Sequence, residues 1–179
     1  MTSHSPSPKA ALWSAGLVGL VLGGCLLIGC LEPLVAVAVI AAGALPLSRA
    51  LMLTAAVWLA GQAIGFGVHH YPHDAQTLAW GAGLGVAALI ATAAAAAALP
   101  ALAGRPVWLR AGAAFIAAFV ADQAVILGVE QLVTGACTIR PGVISFVGLV
   151  NAGWLAALLL VDAGLVRAAW PVPAFGRRA

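Results

Sequence analysis

Residues 10–31, 50–68, 76–99, 107–132 and 143–166 are apolar runs, each long enough as a helix to cross most or all of a ~30 Å hydrocarbon core. Nine of the 13 charged residues lie outside these runs, in the breaks and at the two ends. Only 7% of the 179 residues are charged and 64% are hydrophobic, where a soluble domain carries roughly 25% charge. The mean hydropathy is +1.11. There is too little polar surface to cover a water-soluble globule, so the solvent is lipid. The backbone must then satisfy itself within helices or a closed barrel. Continuous alanine- and leucine-rich runs, without alternation at every second residue, point to helices. The expected class is an all-α integral membrane protein.

The first run could be read as a signal peptide, and "LGGC" at 22–25 has some look of a lipoprotein cleavage site. The apolar run continues well past it, so a membrane span is the reading kept. Glu32-Pro33 ends this run, and a shorter apolar piece, 34–45, reaches Pro46. At ~1.5 Å per residue it covers only about 18 Å. The cations decide whether it crosses. With six crossings, Lys9, Arg49, Arg105, Arg110, Arg167, Arg177 and Arg178 share the cytoplasmic face, and only Arg140 lies outside. With five, most of those arginines move outside. Six helices with both termini cytoplasmic and a short second helix are therefore expected, in the inner membrane of the cell. Residues 1–9 form an N-terminal tail, 10–168 the transmembrane domain and 169–179 a C-terminal tail.

The formal charge of +3 reports orientation in such a chain and gives no reason to expect nucleic acid. Cys25, Cys30 and Cys137 lack CxxC spacing and read as small buried thiols. Gly19 and Gly23, Gly61 and Gly65, and Gly81 and Gly85 are each four apart, a spacing that lets helix backbones approach closely.

Three of the four histidines, His69, His70 and His73, fall together and are followed by Asp74. Topology puts them in an outer loop, on the same side as Glu32 and Glu130. Three readings stay open for this loop: a solvated segment at the headgroups anchored by Tyr71 and Trp80, a divalent metal site, or recognition of another polar ligand. Neutral imidazoles with a carboxylate suit Ni²⁺, Co²⁺, Zn²⁺ or Cu²⁺. Pro72 stands against a continuous helix there.

Below the loop, Trp58, Gln62 and His69 are spaced to share one helical face, with Gln62 roughly 10 Å deeper than His69. Gln123 and Glu130 share a face on the next-to-last helix, with Asp122 near mid-membrane and Glu130 level with His69. Asn151 and Asp162 are aligned on the last helix. Polar groups inside lipid usually face the bundle interior or a cavity. Trp58, Gln62, His69, Asp122, Gln123, Glu130 and Asn151 are thus the candidate lining of an outward-opening pocket. Asp162, five residues before Arg167, reads as structural or as a docking contact.

The chain has no Walker-type glycine loop, nucleophile elbow, HExxH or CxxC. Without a means to hydrolyse ATP, active transport would need partner proteins or an ion gradient. Ala11 and Ala15 form an AxxxA motif on the first helix. With its size, six helices and outward polar pocket, the chain resembles the substrate-binding S components of energy-coupling-factor uptake transporters. The resemblance implies capture of a metal ion or vitamin-like molecule and docking on a transmembrane partner driven by ATPases. The family's metal-binding members use a histidine near the processed N-terminus, whereas His4 here sits in an ordinary polar tail. Two other classes are a small membrane redox or enzyme subunit and a structural subunit of a larger complex.

Overall fold

The structure, a computed structural model, describes residues 13, 15–16, 18–19, 23, 33–134, 141–168 and 175. All regular structure among the described residues is helical. Helix α1 spans Leu34–Ala44, α2 Leu47–Gly67, α3 Ala75–Ala98, α4 Val107–Thr134 and α5 Pro141–Arg167. A single 3₁₀ turn, Pro100–Leu102, follows α3. Trp13, Ala15, Gly16, Val18, Gly19 and Gly23 are also helical. The cysteines, Glu32, Lys9 and Arg140 lie outside the described residues, so readings that rest on them stay expectations.

Proline sets most of the helix starts. Pro33 and Pro46 are the residues before α1 and α2, Pro106 precedes α4 and Pro141 is the first residue of α5. A fixed φ and a missing N–H cost nothing there, because first-turn amides have no partner inside the helix. Helices α2 to α5 are long and apolar enough to cross a membrane. The chain is thus multi-pass and membrane-like in character.

Helix α1 is different. At 11 residues it is only about 16 Å long, and every one of its residues is buried. It packs against all four long helices. A helix that is apolar on every side needs such a surround. Helix α5 meets the rest of the bundle chiefly through α1. Its buried residues Asn151, Leu155, Leu158 and Asp162 recur at helical spacing and form that contact face.

Alternation of the helices puts Arg49, Arg105, Arg110 and Arg167 at one end of the bundle and the 68–74 loop at the other. Helix α1 runs from the loop end toward the arginine end, parallel to α5. At its far end the Phe175 ring occupies the space beside Gly43 that a Cβ would fill. Phe175 is buried, and its N–H donates to Asp162 Oδ2 at 3.1 Å. Residue 175, in a segment read as a tail, is therefore part of the core.

Candidate functional site

The first turn of α1 meets α2, α3 and α5 toward the loop end of the bundle. A cavity of about 280 Å³ lies there, with Leu34 in its wall. Gln62 and Phe66 of α2 and Tyr71 of the loop line one side. Thr77, Trp80, Gly81 and Leu84 of α3 line another, and Val147, Val150 and Asn151 of α5 complete it.

The polar residues are held by specific contacts. Asn151 is 3% exposed; its Oδ1 accepts the Ala36 N–H at 3.2 Å and its Nδ2 donates to the Val147 carbonyl at 3.0 Å. Pro33 offers α1 no side-chain cap, so Asn151 supplies one from another helix. Gln62 Oε1 lies against Gly81, and the Trp58 indole lies against Gly85 while its Nε1 donates to the Gly81 carbonyl at 2.9 Å. A side chain at either glycine would displace them. The 81/85 spacing thus makes room for side chains as well as for close helix approach.

Below these contacts, Thr54 and Thr92 are fully buried with hydroxyls 3.0 Å apart, and Thr92 donates to the Ala88 carbonyl at 2.8 Å. This α2–α3 pair is not expected from the sequence. Single threonines in apolar runs give no periodic signal.

The loop roofs the cavity. The Tyr71 ring lies against Gly65, and Phe66 meets both Tyr71 (ring centroids 6.1 Å apart) and His73 (5.2 Å). His69 stacks on Tyr71 at 6.0 Å and 24°. His69, His70 and His73 are exposed, a layer above the cavity wall.

The expected shared face of Trp58, Gln62 and His69 holds only for the first two. Helix α2 ends at Gly67, the His69 N–H turns back to the Ile64 carbonyl, and His70 takes a left-handed φ of 54°. Helical phase does not carry past that point. Asp74 is committed elsewhere, since its Oδ1 accepts the Thr77 N–H at 2.7 Å as the N-cap of α3. That bond holds its carboxyl below the usual carboxylate range. No group of three or more His, Cys, Asp or Glu suited to a metal ion exists among the described residues. The quartet His69, His70, His73 and Asp74 is not brought together as one.

Glu130 is buried, but the cavity wall does not include it. Its neighbour Val129 packs at Gly83, two residues from Gly81 and so on the opposite flank of α3 from Gln62. Glu130 is therefore near the depth of Gln62, well below His69, and α3 stands between them. Asp122 is buried further down α4, where it accepts from Gln123 Nε2 at 3.0 Å. Of the seven expected lining residues, Gln62 and Asn151 line the cavity and Trp58 braces its α3 wall. Phe66, Tyr71, Trp80, Val147 and Val150 are added by the structure. Gly65, which leaves room for the Tyr71 ring, was the available signal.

The electrostatics are mild. Among the described residues the wall contains amides, hydroxyls, aromatic rings and aliphatic groups, and no Asp, Glu, Lys, Arg or His. The N-terminus of α1 adds a partial positive charge, worth about 0.3–1 kcal/mol to a negative group and up to ~2 kcal/mol when partly buried. Burying an unpaired full charge costs several kcal/mol, which the terminus does not offset. Comparison with known protein families, curated proteins and solved structures finds no match to this chain.

Proposed function

We propose that the chain is a transport subunit of the cell's inner membrane that takes up a small molecule at the loop end of the bundle. The observation that carries this reading is the 280 Å³ cavity at the first turn of α1, walled by four helices and Tyr71 of the 68–74 loop. Binding pockets are characteristically concave, mostly apolar and fitted with a few placed polar groups, and Gln62, Thr77 and Asn151 are such groups here. The loop end faces outward by the positive-inside rule, since Arg49, Arg105, Arg110 and Arg167 gather at the other end. The chain performs no chemistry on the molecule. Energy comes from partner subunits, a transmembrane protein with ATPases being the arrangement implied by the resemblance to S components. A resident metal is not part of this reading.

The test uses cells lacking the chain, complemented with wild type or with the cavity-filling Val150→Trp variant at equal expression. Small molecules remaining in the medium are profiled over growth. One compound should be consumed with wild type and persist with the empty strain and with Val150→Trp. Identical profiles for all three strains would contradict the proposal.

A further inference from the structure

Helix α1 is anchored at both ends to one face of α5. At the cavity end the Asn151 side chain accepts the Ala36 amide. At the arginine end Asp162 accepts the Phe175 amide, and the Phe175 ring lies against Gly43. Asn151 and Asp162 are eleven residues apart, about 16 Å along α5, which is the length of α1. One buried helix thus has the cavity at its first residue, Leu34, and a docked ring at Gly43, beside its last.

We infer that α1 is a sliding link between these two places. A molecule filling the cavity shifts α1 toward the arginine end and releases Phe175 from Gly43, so occupancy at the loop end is signalled at the other end. Such a link rests on the binding role just proposed and gives it a signal that partner subunits can read.

The surface of α1 permits the slide. Six of its 11 residues are alanine or glycine, with little to interlock on those faces. Leu45 and Pro46 alone join it to α2, which limits the movement to the ~1–2 Å typical of packed helices. At Gly43 that small movement is decisive. The ring occupies the place of a Cβ, a notch that only glycine offers. Val39 and Ile40 stand one turn earlier on the same side of α1, so the slide drives them toward the ring. A close-packed interior does not absorb that overlap, and the ring must leave. When the cavity empties, burial of the ring and the bond to Asp162 draw it back.

The test uses the full-length chain in lipid nanodiscs, with the native cysteines replaced and Val150→Cys in the cavity wall. Methanethiosulfonate reagents attach a methyl, a benzyl or a pyrenylmethyl group, and trypsin cleavage after Arg167 is timed by mass spectrometry. The rate should rise with the size of the group, about fivefold or more from methyl to pyrenylmethyl. Gly43→Ala puts a Cβ where the ring lies, so its cleavage should be fast whatever group is attached. The same groups on Leu149→Cys, at a position 73% exposed, should leave the rate at its methyl value. A rate independent of group size at position 150 overturns the link. An equal rise from position 149 does so too, because bulk anywhere on α5 is then the cause. A rise accompanied by an earlier unfolding transition also overturns it, since the whole bundle is then loosened. Each of these results leaves the transport role standing, because depletion of the medium tests that role separately. A rise from position 150 alone, with no compound depleted from the medium, keeps the link and removes the transport role.

Discussion

The side-chain oxygen of Asn151 accepts the backbone amide of Ala36 at 3.2 Å, joining the last helix to the first turn of the one it surrounds. This bond fixes where α1 begins, and so fixes the floor of the cavity. Removing the acceptor leaves a buried N–H to find another partner. Asn151→Leu should therefore lower stability by about 1–2 kcal/mol, read as an earlier thermal unfolding transition in detergent. Ala152→Leu, on the exposed neighbouring position, should leave the transition in place.

At the opposite end of α1, Phe175 fills the space at Gly43 and is tied to Asp162. Phe175→Ala should cost about 3 kcal/mol, the usual scale for deleting a buried ring, and make the bond after Arg167 newly sensitive to trypsin. Asp162→Asn retains a side-chain acceptor for the Phe175 amide and should behave nearly as wild type. Asp162→Leu should resemble Phe175→Ala.

Asp74 predicts a dependence on pH. Its bond to the Thr77 amide lowers its carboxyl in the folded state. For a depressed carboxyl, the stabilisation is complete above the unfolded-state value, ~3.9, and is lost as the pH falls through the lower folded value. The hydrogen-exchange protection factor at the first turn of α3 should thus be flat from neutral to roughly pH 5 and fall only in stronger acid. Asp74→Ala should show lower protection at every pH. Asp74→Asn, still a good cap, should lose the acid-dependent fall.

The orientation follows from the arginines. With the native cysteines replaced, a cysteine at position 74 should react with an impermeant reagent added to intact cells, and one at position 105 should not. The reverse pattern would invert the bundle.

The helices themselves were legible in the sequence because proline and charge punctuate long apolar runs. The short piece 34–45 was placed within a residue of α1, whose first residue, Leu34, lies in the cavity wall. Gln62 and Asn151 were legible as polar residues on apolar helices, which must face the interior. His69 was misplaced because a face argument assumes the helix continues, and α2 ends two residues earlier. Glu130 was given the depth of His69 from loop membership alone. The pairing of Val129 with Gly83 puts it lower and behind α3. Phe175 could not be read because its role depends on Asp162 and Gly43, which no local pattern links to it.

Occupancy of the cavity is the most direct test of the account. Native mass spectrometry of the chain purified in mild detergent from its own membranes should show a small-molecule adduct at one per chain. Val150→Trp and Leu84→Trp, each filling the cavity from a different helix, should lose it while keeping the wild-type unfolding transition. A wild-type chain with no adduct, or an adduct retained in both folded variants, would contradict the assignment of this cavity as the substrate site.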